Sequence, residues 1–136
     1  GAAILTVLFY LLRHHGRRFD PPASRRTDDL LRILPALHAI DERLGDPELT
    51  VAELAAKLFV GQVHFRKLFR RATGKSPVDF IRMRRIETAC QLLRGSSVSI
   101  KEVAAAAGFA EVPYFYRVFR QQMRVTPAQY RQGAEV

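Results

Sequence analysis

Cysteine, metal-ligand spacing and long apolar runs are what this 136-residue chain lacks. Its single cysteine, Cys90, excludes an internal disulfide and fits a reducing compartment. Four scattered histidines beside one cysteine offer no zinc-ligand spacing, so we expect neither a metal nor a cofactor. The apolar run at residues 2–12 is shorter than the roughly 20 residues that cross a bilayer. Basic residues follow this run, whereas those of a secretory signal precede the apolar part, so we expect no membrane partner.

Acidic residues are scarce in one part of the chain only. Residues 1–49 contain seven Lys/Arg and seven Asp/Glu, whereas residues 50–136 contain fifteen Lys/Arg against six Asp/Glu. The whole formal charge of +9 therefore lies in the later part. Such asymmetry predicts a polyanionic partner, with nucleic acid as the first choice and an acidic membrane surface as the second.

The pattern of apolar residues predicts helices throughout. No stretch alternates apolar and polar residues with a β-branched bias, so we predict an all-α chain. Residues 1–19 are predicted to form a terminal helix. Residues 20–29, "DPPASRRTDD", combine paired prolines, small residues and mixed charges, which is typical of a linker.

Two further helix starts are predicted from local signals. A helix is predicted from Asp28, with Pro35 in its first turns or at its true start. Its periodic positions include Leu31, Leu34, Leu37, His38 and Ile40. Thr50 is predicted to begin the next helix as a capping residue, with Glu53 completing a capping box.

An internal repeat is the strongest organisational signal. The triplet "ELA" at residues 53–55 recurs as "EVA" at residues 102–104, 49 residues later. The run "FRKLF" at residues 65–69 recurs as "FYRVF" at residues 115–119, 50 residues later. Because the offset grows by one, a turn in the second copy contains an extra residue.

Each copy is interpreted as a helix-turn-helix unit, at about residues 50–72 and 99–122, and a linker helix at about residues 77–94 joins them. Alanines in the first helix of each pair allow the second helix to approach closely and to cross it steeply. Gly108 is expected to adopt the left-handed conformation that ends a helix, and Phe109 to fill the corner that follows.

A projection at 100° per residue separates two faces on the second helix of each pair. The face expected to be buried comprises Phe65, Leu68, Phe69 and Ala72 in the first copy, and Phe115, Val118, Phe119 and Gln122 in the second. The opposite face, expected to be exposed, comprises Val63, Arg66, Lys67 and Arg70 in the first copy, and Pro113, Tyr116, Arg117 and Arg120 in the second.

A stripe of cations with one or two apolar side chains suits the major groove of DNA. Arg and Lys donate to guanine O6 and N7, and an apolar side chain contacts the thymine methyl group. Flanking polar and basic side chains are expected to contact phosphates, which fixes position without reading sequence. This set comprises Gln62, His64, Arg70, Arg71, Lys75, Arg82, Arg84, Arg85, Arg94, Arg120 and Arg124. A linker helix about 27 Å long leads us to expect the two reading helices about 34–36 Å apart, in successive major grooves.

These elements resemble a known family. Residues 30–132 resemble the DNA-binding domain of the AraC/XylS (arabinose-operon regulator) family, above all in the run "SIKEVAAAAGFAEVPYFYRVFRQQMRVTPAQYR". The resemblance implies about seven helices in two homeodomain-like helix-turn-helix subdomains joined by a linker helix. It also implies a bacterial, cytoplasmic, nucleoid-associated transcription regulator, usually an activator, that binds double-stranded promoter DNA and contacts RNA polymerase. The base-reading positions of the family then fall on Val63, Arg66, Lys67, Val112, Pro113, Tyr116 and Arg117.

The resemblance has consequences beyond the matched residues, and it has exceptions. Most members carry an N-terminal effector or dimerisation domain, so residues 1–19 are interpreted as its last helix. A homodimer contact and a small-molecule effector are accordingly expected outside this chain. Members commonly have Ser where this chain has Gly61 and Ala110, the expected caps of the reading helices. They usually have Gly where this chain has Arg124. Loss of a capping hydroxyl costs roughly 1 kcal/mol for Ala and less for Gly.

Two other functions are considered. An enzyme is not expected, because the sequence lacks the usual spacing of a catalytic triad, metal set, phosphate loop or carboxylate pair. A basic module that binds nucleic acid or a membrane surface without sequence specificity stays open as the alternative. A membrane binder would expose its aromatic rings on one wide face, and an RNA binder would stack exposed rings on bases.

Overall fold

The computed structural model describes Leu5 and residues 23–133, and every regular element in that part of the chain is an α-helix. Its seven helices are α1 (Ala23–Arg43), α2 (Val51–Lys57), α3 (Gln62–Thr73), α4 (Pro77–Gly95), α5 (Ile100–Ala106), α6 (Val112–Met123) and α7 (Pro127–Gly133). The predicted all-α class with about seven helices is confirmed. The terminal helix predicted at residues 1–19 lies outside the described residues, Leu5 excepted.

The described residues divide into two compact units. The first unit contains residues 23–43 and 49–80, and it holds the helix pair α2–α3. The second unit contains residues 44–48 and 81–133, and it holds the pair α5–α6. The bounds of both pairs, and of α4, differ by one residue from the predicted ranges, because capping and periodic signals mark these ends clearly in the sequence.

Helix α1 differs from its prediction at the start and at Pro35. It begins at Ala23, so most of the predicted linker is helical. Pro35 lies inside the helix and is exposed, so the carbonyl group that loses its usual N–H partner faces the exposed side. Leu31 and His38 are also exposed, although they were predicted on the periodic face. The buried apolar positions of α1 are Ile33, Ala36, Leu37, Ala39 and Ile40, and Asp29 is buried as well.

The first helix of each pair begins with a capping residue. The hydroxyl of Thr50 accepts a hydrogen bond from the backbone N–H of Glu53 at 3.2 Å. The Glu53 carboxylate pairs with Arg43, so this cap shows the Thr50 half of the predicted capping box. In the second unit Ser99 and Glu102 form the full reciprocal box, with both hydrogen bonds at 3.1 Å.

The extra residue of the second copy is Ala110. The backbone hydrogen bonds at the end of α2 recur at the end of α5 between residues 49 positions later. Those at the start of α3 recur at the start of α6 between residues 50 positions later. Val60 therefore matches Phe109, and Gly61 matches Glu111. Glu111, and not Ala110 as predicted, is the N-cap of α6, because the inserted residue lies before the cap.

The corner of the second unit is built as predicted. Gly108 has a φ of +96°, and a Cβ added to it would lie 2.3 Å from the carbonyl oxygen of Leu44. Phe109 is 5% exposed, and its ring centroid lies 5.1 Å from that of Phe115. The position that matches Gly108 in the first unit is Phe59, which has a φ of +57° and is 95% exposed.

Candidate nucleic-acid interface

Helix α3 presents a polar and basic face above a buried apolar one. It follows Gly61, which has an extended conformation and provides no side-chain cap, and it ends at Gly74, whose φ is +82°. Five residues of the helix are buried, namely Phe65, Leu68, Phe69, Ala72 and Thr73. The exposed side chains are those of Gln62, Val63, His64, Arg66, Lys67, Arg70 and Arg71.

Tilted and edge-on contacts between aromatic rings hold the buried face of α3. The Phe65 and Phe69 centroids lie 5.6 Å apart, and the Phe80 ring packs edge-on against Phe69 at 5.3 Å. Such aromatic pairs add about 0.5–1.5 kcal/mol beyond the burial of their area. The helix is therefore fixed by its buried face, which leaves the opposite face free to contact a ligand.

The exposed face of α3 contains the three predicted base-reading residues of the first copy. Val63 is 67% exposed, and Arg66 and Lys67 are exposed beside it. An N–H group of Arg66 donates to the side-chain oxygen of Gln62 at 3.3 Å, one turn earlier. The structure thus brings Val63, Arg66 and Lys67 together with His64 and Arg70 on one surface.

Arg71 was predicted to contact phosphate, and the structure gives it a partner within the protein. Its Nε and one terminal nitrogen donate to the two carboxylate oxygens of Asp29 at 2.7 and 2.9 Å. This bidentate pair ties α3 to α1, since Asp29 is buried. The hydrogen bond from Arg71 lowers the pKa of the Asp29 carboxyl; burial opposes this shift, and the charges of Arg71, Arg32 and Arg25 assist it.

Helix α6 repeats the arrangement with a different composition. Phe115, Val118 and Phe119 are buried, as predicted from the projection. Gln122 was predicted to share their face but is exposed, and its neighbour Met123 packs against the apolar cluster in the last turn of the helix. Pro113 lies in the first turn, where its missing N–H group leaves no hydrogen bond unmade.

The predicted base-reading residues of the second copy are not equally exposed. Pro113 and Arg117 are exposed, whereas Val112 and Tyr116 are half-buried and pack partly against the apolar cluster. The ring centroid of Tyr116 lies 6.0 Å from that of Phe115 in an edge-on contact. Tyr116 was expected on the open surface, and the projection could not show this contact with its sequence neighbour.

Two of the predicted phosphate-binding arginines are placed differently from the prediction. Arg84 is 9% exposed, and it donates to the Glu87 carboxylate at 3.0 Å. Arg85 is half-buried and donates to the carbonyl oxygens of Leu44 and Asp46 at 3.0 and 2.8 Å. Burial lowers the pKa of Arg85, and the nearby groups of Tyr114 and Asp46 partly offset the effect. Both arginines stabilise the second unit, because their side chains point into the protein and not toward a ligand.

The remaining predicted phosphate contacts vary in exposure. Arg120 and Arg124 are exposed, and Lys75 is half-buried. Arg82 is half-buried and donates to the Tyr114 hydroxyl at 2.9 Å. Arg94 is exposed, and its guanidinium carbon lies 6.0 Å from the ring centroid of Tyr130.

Cys90 is a buried thiol of the second unit. Burial raises the pKa of the thiol, and a hydrogen bond with Tyr130 partly offsets this effect. The residue lines an open cavity of about 370 Å³ together with Met83, Met123 and others. Among residues 23–133 no group of three or more potential metal ligands occurs, and none of the helices described there could cross a membrane.

Comparison with known proteins connects this geometry to a family. A helix-turn-helix domain family matches residues 54–133. The MmsAB operon regulatory protein of Pseudomonas aeruginosa is 32% identical, over 89% of this chain and 44% of its own length. The transcriptional activator RhaR of Cronobacter sakazakii is 34% identical, over 89% of this chain and 42% of its own length. The chain thus spans less than half the length of these curated relatives.

Solved structures share the fold. The DNA-binding domain of the global transcriptional factor AdpA, solved in complex with a target DNA, matches with a TM-score of 0.71 at 29% identity. This match covers 75% of the present chain and 91% of that domain. The C-terminal domain of AraT, a response regulator from Geobacillus stearothermophilus, matches with a TM-score of 0.72 at 27% identity, over 75% and 84% of the two chains. Since the helix-turn-helix domain family matches residues 54–133, which is more than half of the chain, and the similar proteins are such regulators, the chain belongs to the AraC/XylS family of DNA-binding transcription regulators.

Proposed function

We propose that α3 and α6 enter two successive major grooves of promoter DNA, read bases there, and thereby direct the activation of transcription. The observation that carries this proposal is the division of each helix into two faces. Phe65, Phe69, Phe115 and Phe119 are each 0% exposed, while cations occupy the opposite faces. A membrane-surface binder would need those rings on its outside.

The base-reading residues are assigned by exposure and chemistry. In α3 we assign Val63 to contact with a thymine methyl group, and Arg66 and Lys67 to donation in the groove. In α6 Arg117 is the principal donor, with Pro113 beside it. Val112 and Tyr116 contribute through the parts of their side chains that stay exposed.

The phosphate-contacting residues are a smaller set than the sequence suggested. Arg71, Arg82, Arg84 and Arg85 are left out, because their guanidinium groups already bond within the protein. The residues we retain are Gln62, His64, Arg70, Lys75, Arg94, Arg120 and Arg124. Each neutralised phosphate releases counterions, so binding should weaken steeply as salt rises.

Further partners are part of the proposal. Activation implies a contact with RNA polymerase, and the name of the relative RhaR, a transcriptional activator, supports that role. The relatives are more than twice as long as the matched part. We place a homodimer contact and a small-molecule effector site in that further length, and we place the working protein on the bacterial nucleoid in the cytoplasm.

The test begins with selection of a cognate duplex from random oligonucleotides. Arg66→Ala and Arg117→Ala should each weaken binding to that duplex by about 1–3 kcal/mol and relax the preference at one base pair. Arg120→Ala, one turn from Arg117 on the same helix, is the matched control. It should weaken binding to all duplexes alike, and it should reduce the slope of log affinity against log salt concentration by about one, as expected for one lost phosphate contact.

Two results would contradict the proposal. One is cognate binding by both alanine variants with the affinity of the unaltered protein. The other is equal binding of cognate and scrambled duplexes, which would favour a basic module without sequence specificity. The groove geometry is tested by inserting half a helical turn between the two contacted blocks, which should abolish simultaneous contact by α3 and α6.

A further inference from the structure

Tyr114 is held at both ends within the second unit. Its hydroxyl accepts a hydrogen bond from Arg82 Nε at 2.9 Å. Its ring centroid lies 5.9 Å from that of Phe109, at an interplanar angle of 54°. Because Phe109 is itself buried, the Tyr114 ring has a fixed position and a fixed tilt.

Arg117 lies over this ring, one turn further along α6. Its guanidinium carbon is 5.3 Å from the Tyr114 ring centroid, within the range of a cation–π interaction. The side chain is otherwise exposed. A cation–π interaction is an attraction between the guanidinium charge and the ring, and it does not require the N–H donors of the group as hydrogen-bonding partners. The donors needed for bidentate contact with guanine therefore stay available.

The first unit offers an internal comparison. By the repeat offset of 50, Tyr114 matches His64 and Arg117 matches Lys67. Both His64 and Lys67 are exposed. Lysine presents a point charge on a flexible stem, so the first unit lacks the arginine–tyrosine contact that orients Arg117.

We propose that Tyr114 is a positioning residue that orients Arg117 in the free protein for bidentate recognition of guanine. The inference rests on the proposed function, in which Arg117 reads a base. An ordered arginine loses less side-chain entropy on binding than a mobile one. It also presents its donors in one orientation, so a wrong base leaves them unpaired. Tyr114 thus contributes to specificity without itself contacting DNA.

The first test uses the free protein. NMR relaxation of the Arg117 Nε–H group should show restricted motion, and Tyr114→Leu should increase that motion. His64→Ala is the matched control, and it should leave the Arg117 signal unchanged. Equal mobility of Arg117 with and without the ring would overturn the proposal, whatever the DNA results.

The second test uses DNA and a double-mutant cycle. Tyr114→Leu should reduce discrimination at the base pair read by Arg117 by about two- to fivefold, which is the size of an exposed cation–π interaction. It should leave the salt slope unchanged, and in the Arg117→Ala background it should have no further effect. A loss of equal size in that background would show a merely structural role and would overturn the proposal.

A conservative variant keeps the test valid if the leucine variant does not fold. Tyr114→Phe retains the ring and its packing and loses only the bond to Arg82, so it should reduce discrimination less, in the same direction. Unchanged discrimination in this variant, with the leucine variant unfolded, would count against positioning. Failure of the proposed function is recognised separately, because Arg117→Ala would then bind the cognate duplex normally.

Discussion

The two helix-turn-helix units share one pattern of backbone hydrogen bonds. They differ in which of their residues with a left-handed backbone conformation is a glycine and which has a side chain. The first unit has Phe59 in the turn between its helices and Gly74 after its reading helix. The second unit has Gly108 in the turn and Arg124 after the reading helix, where φ is +66°. Phe59 projects into solvent, whereas a Cβ at Gly108 would meet a backbone carbonyl. The fold tolerates a strained residue only where its side chain has open space.

The units also differ in how an arginine secures their helices. In the first unit Arg71 binds the buried carboxylate of Asp29. In the second unit Arg85 binds the backbone carbonyls of Leu44 and Asp46. A carboxylate loses its charge in acid and a carbonyl group does not, so only the first arrangement depends on pH in the acid range.

The largest effect is expected for Gly108→Ala. The new Cβ would lie 2.3 Å from the Leu44 oxygen at a φ of +96°, so we expect a loss of about 2–4 kcal/mol in the unfolding free energy of the second unit. Urea titrations followed by NMR signals of each unit would measure it. Gly95→Ala, a helical position of the same unit where an added Cβ would meet nothing within 4 Å, is the control and should not destabilise that unit. If Gly108→Ala were as stable as the unaltered protein, the close contact at Gly108 would not explain why this unit has glycine where the first unit has Phe59.

The next largest effect is expected at Asp29, whose contribution to stability depends on pH. The pKa of Asp29 lies below its usual value of 3.8 in the folded protein. Its stabilisation is therefore complete above about pH 4 and is lost as the pH falls through the folded-state pKa. Asp29→Asn should destabilise the first unit by about 1–2 kcal/mol at pH 7, and the difference from the unaltered protein should disappear toward pH 2.

The same urea titrations at a series of pH values would measure the Asp29 effect. Asp28→Asn, at the exposed neighbouring position, is the control and should not reproduce it. An unchanged acid sensitivity of the first unit in the Asp29→Asn variant would contradict the assigned role of the carboxylate anchor.

Phe59→Gly should stabilise the first unit. A left-handed conformation costs a residue with a Cβ about 1–2 kcal/mol, while glycine adds flexibility to the unfolded chain that cancels part of the gain. We expect a net gain of about 0.5–1 kcal/mol, since an aromatic ring that is 95% exposed loses little packing. A decrease in thermal stability would show that the ring has a contact within the protein.

Arg124→Gly should give a similar or smaller gain in the second unit, for the same backbone reason. It should also weaken DNA binding and reduce the salt slope by about one, because we assign Arg124 to a phosphate. The midpoint of thermal unfolding should therefore rise, while the affinity for DNA in a salt titration should fall. Arg124→Asn, which removes the charge but suits the left-handed region, separates the two effects.

Sequence reasoning recovered more of the fold than of the interface. The bounds of the two helix pairs, the corner at Gly108 and Phe109, and the buried phenylalanines follow from period and local signals, whereas the start of α1 was predicted five residues too late. The partners of Arg71 and Arg85 lie about 40 residues away, at separations of 42, 41 and 39, so no local pattern identifies them. Tyr114 was overlooked, although its spacing of three residues from Arg117 is the one local signal of their contact.

The sequence by itself determined which face of each reading helix is apolar, because a period of 3.6 residues forces those side chains to one side. It also determined that the basic residues gather in the later part of the chain. Only the tertiary structure decided which arginines keep their donors for a ligand. Arg117 lies over the ring of Tyr114 on its own helix, whereas Arg71 bonds to a carboxylate 42 residues away, a neighbour that only packing supplies.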